Sequence, residues 1–221
     1  MEVIKLLHAG CGVIVLALAI GLYRSGARPQ SIETALMRLP MIGNLALIGL
    51  LTVLLGSSLG WIRGVLSFAH FLTDALGLIV HEAGHFFTSW AGNLLYALGG
   101  TLFEIGIPAG LAIWCAIGQY YKILSLMLGW MSVALFSVSA YAGDAQALEL
   151  PLLGGTGDPE FDAQVHDWHS ILSQLGWLEA TRTVSDSFWA LGLVSGVAAI
   201  LLYGWTLQSG RRISLDMVDE G

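Results

Sequence analysis

Two histidines four residues apart, His81 and His85, flank Glu82 in the pentapeptide His81-Glu82-Ala83-Gly84-His85. On a helix, residues at i and i+4 share a face, so both imidazoles can hold one metal ion while the adjacent carboxylate takes a proton from a water on that ion. Zinc suits such a donor pair. The pentapeptide lies inside a long apolar run, Gly64 to Phe87. Imidazoles and carboxylates are costly in hydrocarbon and persist there mainly when paired, metal-bound or facing a wet cavity, so the pentapeptide reads as a functional site. The bland alternative is a pair of buried histidines bonded to carbonyls.

Two histidines leave a catalytic zinc one protein ligand short. Four residues compete for that place. Asp144, in Tyr141-Ala142-Gly143-Asp144-Ala145, directly follows an apolar segment and can bend back into the bundle mouth. His166 and His169 belong to His166-Asp167-Trp168-His169, and Glu104 stands in an apolar segment shortly before Pro108. His169 projects away from the apolar stripe of its own helix, as a solvated histidine would, and helix packing explains Glu104 as well as ligation does. The expectation is one zinc ion held by His81, His85 and Asp144, with His166 the next choice and Glu82 the catalytic base.

The elements that must position these groups are apolar helices. The chain is 56% hydrophobic and 11% charged, with a mean hydropathy of +0.74, far more apolar than a soluble domain of 221 residues requires. An all-α integral membrane protein follows, a single domain over 1–221 with about six spans near 3–23, 39–59, 64–87, 94–117, 123–140 and 188–207. The first segment ends at Tyr23-Arg24 without a small-residue cleavage site and is expected to stay attached. Arg24, Arg28 and Arg38 in the first loop and Arg211 and Arg212 in the tail give opposed orientation signals for an even number of spans. Gly56 and Gly60, Gly106 and Gly110, and Gly192 and Gly196 form small-xxx-small pairs that allow close helix approach.

On the pentapeptide helix, His70 and Asp74 fall within about 60° of His81 and His85, a polar stripe that must face the bundle interior. They line a water path or pair with each other. With Trp90 at the headgroup level, a rise of about 1.5 Å per residue places His85 roughly 7 Å and His81 roughly 14 Å below it.

Eight of the sixteen acidic residues fall between Tyr141 and Ser187, where Arg182 is the only basic residue. Residues 141–187 are the expected extramembrane segment: a Gly- and Pro-rich loop, then a short amphipathic surface helix with Ile171, Leu172, Leu175 and Leu178 at helical spacing, capped by Asp167. Cys11 and Cys115 lie in apolar runs and give no disulfide framework. No basic patch is present, which argues against a nucleic-acid partner.

The His-Glu-x-x-His in a membrane helix, with an aspartate after a later one, resembles the site-2 protease family of intramembrane zinc metallopeptidases, mainly over residues 78 to 110. Gly99-Gly100-Thr101 is similar to the glycine-rich turn such proteins often have near the motif. The resemblance implies that His81, His85 and Asp144 hold zinc, that Glu82 activates water, and that the substrate is a peptide bond in or near a membrane helix. The pattern departs from the family in having Gly143-Asp144-Ala145 for Leu-Asp-Gly, no Asn-Pro element and no PDZ-like insert. The chain also resembles small bacterial membrane proteins carrying His-Glu-x-Gly-His, which implies a multi-pass place in a bacterial cytoplasmic membrane. Two other functions stay open: a metal-dependent hydrolase of lipid amides or esters, and a non-catalytic helical subunit of a larger membrane complex. The expected partners are membrane lipid and a membrane-protein substrate or partner subunit.

Overall fold

The computed structural model describes residues 2–25, 28–59, 67–153 and 155–219, with side chains described for all of these except 2–4, 22–23, 67–74, 159 and 210–219. The expected stripe of His70 and Asp74, the Gly60 contact and the Arg211–Arg212 pair lie outside the described side chains. Every described regular element is a helix: α1 (Glu2–Arg24), α2 (Pro29–Met37), α3 (Met41–Ser58), α4 (Ser67–Thr88), α5 (Asn93–Ile117), α6 (Tyr121–Gly143), α7 (Pro159–Val165), α8 (Asp167–Leu175) and α9 (Thr181–Asp219), with one 3-10 turn at Leu178–Ala180.

Four described helical stretches, not six, are long and apolar enough to cross a membrane: α3, α5, α6 and Leu178–Ser209, which runs into α9. The first expected span coincides with α1, a 23-residue helix whose apolar stretch among the described side chains is Lys5–Gly21. The third expected span begins outside the described residues and continues as the unbroken helix α4, whose side chains are described from Ala75 onward.

Hydroxyl groups bind the bundle where hydrophobic driving force between lipid-facing helices is weak. α6 and α9 form the most extensive pair. Ser132 Oγ donates to Gly192 O at 2.7 Å, Ser195 Oγ donates to Leu128 O at 2.8 Å, and Ser139 and Ser185 each donate to the other's carbonyl at 2.8 Å. A methyl at Gly196 would stand 2.7 Å from Ser132 Oγ, so the expected small-residue approach is real there. At Gly106 and Gly110 no atom of the described residues lies within 4 Å of the position a Cβ would take.

α2 is fastened to the start of α6 by a buried carboxylate. Glu33 accepts from the backbone N–H of Lys122 and Ile123, both at 3.0 Å, satisfying two of the donors that a helix start leaves without intrahelical partners. Lys122 Nζ donates to Leu36 O and Asn44 Oδ1 at 2.8 Å, and Tyr203 of α9 donates to the same Asn44 oxygen at 3.0 Å.

The expected helix after Asp167 is present as α8, but it docks on the bundle. Trp168, Ile171 and Leu172 bury in one cluster with Ala97 of α5 and Val138 and Ala142 of α6, while Leu175 remains 41% exposed. Its capping residue is His166 rather than Asp167: the His166 ring Nδ1 accepts from His169 N at 3.1 Å, which leaves the Asp167 carboxylate available elsewhere.

Candidate metal centre

His81, Glu82 and His85 sit on the part of α4 that packs against α5, and glycines set that distance. A methyl at Gly84 would overlap the Gly99 carbonyl, and one at Gly100 would overlap the His81 ring. Gly99-Gly100-Thr101 is therefore helical and supplies a flat face for α4, where the resemblance implied a turn. Because α4 and α5 touch nearly backbone to backbone, α5 groups reach the outer nitrogens of both histidines. His81 Nδ1 is 3.0 Å from Glu104 Oε2, and His85 Nδ1 is 2.7 Å from the carbonyl oxygen of Tyr96. A carbonyl accepts only, so His85 Nδ1 carries the proton; an ionised Glu104 makes the same assignment for His81.

With both Nδ1 atoms tied back, the two Nε2 atoms point inward and meet the Asp167 carboxylate. Oδ2 of Asp167 is 3.1 Å from each of them. The donor atoms of His81, His85 and Asp167 all lie within 4.8 Å of one another, which makes these residues the group among the described residues able to hold a metal ion. His85 is 3% exposed and His81 7%.

Asp167 is aimed by its surroundings. The extended backbone at His166, φ −82° and ψ 110°, ends α7 and begins α8, so the chain turns sharply into the site. Asp167 N donates to the Tyr141 hydroxyl at 3.0 Å, and that hydroxyl donates to Asp167 Oδ2 at 3.4 Å. Burial alone would raise the Asp167 pKa, but the hydrogen bonds and charges of His81 and His85 outweigh it and hold the carboxyl at about 2.

The favoured third ligand of the sequence analysis, Asp144, is not brought into this group. Its carboxylate accepts from Glu149 N at 2.9 Å and Leu150 N at 3.0 Å, folding the loop after α6. His166 sits beside it, with Nε2 3.5 Å from Asp144 Oδ2 and its ring against Tyr141 at 4.3 Å between centroids. Burial, stronger than the nearby Asp144 and Asp167 charges, lowers the His166 pKa. His169 is not a merely solvated side chain: its Nδ1 is 2.7 Å from Ala145 O. Glu104 acts on His81 rather than joining the group. Asp167 and His8 are the residues sequence reasoning passed over. The sequence spacing predicts a cap at Asp167, and His8 stands in an apolar helix where an imidazole is as costly as at His81.

A cleft of about 1260 Å³ contains His81, Glu82, His85 and Asp167 in its lining, with Leu150, Leu152 and Leu153 of the loop after α6 on its wall. The arrangement gives three convergent donors, a neighbouring carboxylate and room for water and an apolar ligand. Comparison with protein-family models, curated proteins and solved structures found no match.

Proposed function

We propose that this chain is a zinc-dependent membrane hydrolase that cleaves peptide bonds in or beside membrane helices. One observation carries the reading: Glu104 and the Tyr96 carbonyl occupy the Nδ1 atoms of His81 and His85, so the nitrogens left to face an ion are both Nε2, which converge on Asp167 and in the metal-free protein hydrogen-bond to it. Oxygen partners on the outer nitrogens are what metal-binding histidines ordinarily have. Two imidazoles and one carboxylate form a ligand set used by catalytic zinc, with a fourth position left for water or substrate. Donors each about 2.05 Å from a tetrahedral ion stand about 3.3 Å apart, close to the 3.1 Å between Asp167 Oδ2 and each Nε2.

Bound zinc would acidify a water and polarise the scissile carbonyl. Glu82 accepts the proton of the attacking water and returns it to the leaving nitrogen. Tyr141 holds Asp167 in place, and Leu150, Leu152 and Leu153 offer the cleft wall to apolar substrate side chains. The His-Glu-x-x-His pattern shared with the site-2 protease family favours a peptide bond over a lipid amide or ester, which the same groups would also hydrolyse.

A second reading, a helical subunit without catalysis, is favoured by one feature. Asp167 and Glu104 together satisfy His81 on both nitrogens with protein groups alone. The test compares membranes from cells expressing the wild type and Glu82→Gln. Membrane-protein fragments that appear only with the wild type support the proposal. Identical fragment profiles overturn it, Glu82-dependent release of fatty acids moves the substrate to lipid, and a partner recovered in fixed ratio without zinc supports the subunit reading.

A further inference from the structure

His8 lies in α1, outside the pentapeptide, yet its side chain completes the surroundings of Glu82. The ring is 7% exposed. Nε2 is 2.7 Å from Glu82 Oε2, Nδ1 is 3.1 Å from the Tyr96 hydroxyl, and the ring stands 5.0 Å from that of His85 between centroids. A neutral imidazole donates from one nitrogen and accepts at the other. An ionised carboxylate only accepts, so Nε2–H donates to Glu82 and the Tyr96 hydroxyl donates to Nδ1.

The seam between α1 and α4 specifies this pairing. His8 and Gly12 are one turn apart on α1, as Glu82 and Phe86 are on α4, and residues four apart share a face. A methyl at Gly12 would collide with the Phe86 ring, so the small residue lets α1 approach close enough for His8 to touch Glu82.

We infer that His8 is a positioning residue for Glu82: the chain Tyr96–His8–Glu82 fixes the carboxylate through Oε2 and leaves Oε1 to serve the attacking water. A flexible glutamate side chain loses rotamer freedom when it is ordered. Here that ordering is complete before substrate arrives, which is what an oriented catalytic group needs. The inference rests on the hydrolase reading and adds α1 to the site.

The test loads the purified full chain with cobalt(II) in place of zinc and records its visible absorption. Glu82→Gln should alter the band, because an amide replaces a carboxylate beside the open position. His8→Ala should alter it in the same direction with the cobalt content unchanged. His8→Gln, whose amide can donate to Oε2, should restore at least half of the change, and Tyr96→Phe should give a smaller change of the same sign. If His8→Ala does not fold, Tyr96→Phe and His8→Gln carry the comparison. A wild-type band in the His8 and Tyr96 variants, alongside an altered band in Glu82→Gln, overturns the inference and leaves the hydrolase reading standing. Loss of cobalt from His8→Ala overturns it too, by showing a structural role. A wild-type chain that binds no cobalt overturns both, and a band insensitive to Glu82→Gln removes the base role of Glu82 and this inference with it.

Discussion

Substituting Gly84 by alanine adds one methyl at the tightest point of the α4–α5 contact. The new Cβ would stand 2.6 Å from the Gly99 carbonyl carbon and 2.9 Å from Gly100 Cα, and both are backbone atoms of a helix that cannot rotate away. Carbon atoms at rest lie about 3.5 Å or more apart, so α4 and α5 must separate by nearly 1 Å. Overpacking of this kind costs about 1–3 kcal/mol. The consequence for the site is larger than for the fold, because α5 carries both groups that hold the outer nitrogens, Glu104 and the Tyr96 carbonyl. Loss of such partners typically weakens metal binding about 10–100-fold. Zinc affinity measured by competition with a chromophoric chelator in detergent should therefore fall by at least tenfold in Gly84→Ala, with a melting temperature lowered by roughly 2–12 °C, at about 2–4 °C per kcal/mol for a chain of this size. Wild-type zinc affinity in a folded Gly84→Ala protein would refute the claim that the α4–α5 distance sets the histidines.

Glu104→Gln keeps the shape but weakens the acceptor at His81 Nδ1, and zinc affinity should drop about 10-fold or more by the same competition assay. In the metal-free protein, the Asp167 carboxyl is held at about 2 against an ordinary value of 3.8, so its contribution to stability is complete above about pH 4 and is lost as the pH falls toward 2. Thermal melts of the apo protein should show that loss in the wild type and a flatter acid limb in Asp167→Asn. Glu33→Ala leaves two buried N–H groups of α6 without acceptors, and the melting temperature should fall by several degrees while zinc content per folded molecule stays unchanged.

The helical, membrane-type character was legible because it rests on composition and on the length of apolar runs, which determine whether a segment can satisfy its backbone in hydrocarbon. The match of α5 with 94–117 and of α6 with 123–140 follows from that. What α1 and α4 do was less legible, since each mixes apolar length with site residues. The i, i+4 spacing of His81 and His85 is local, and the structure brings both imidazoles to one point as the helix period requires. The partner from α8 is not local: the turn at His166 and the docking of Trp168, Ile171 and Leu172 decide which carboxylate arrives, and no periodicity in the sequence encodes that. Asp144 adjoins a span and so drew the assignment, but Glu149 and Leu150 occupy its oxygens. His8 was readable in principle, as a lone imidazole in an apolar helix needs a partner as much as a pair does.

The central claim is that His81, His85 and Asp167 together bind zinc. Metal analysis of the purified chain after zinc loading and removal of excess ion tests it most directly. One zinc per wild-type chain is expected, with its loss in His81→Ala and Asp167→Ala and its retention in Asp144→Ala; a wild type that holds no zinc, or a folded Asp167→Ala that holds it as tightly as the wild type, would rule this ligand set out.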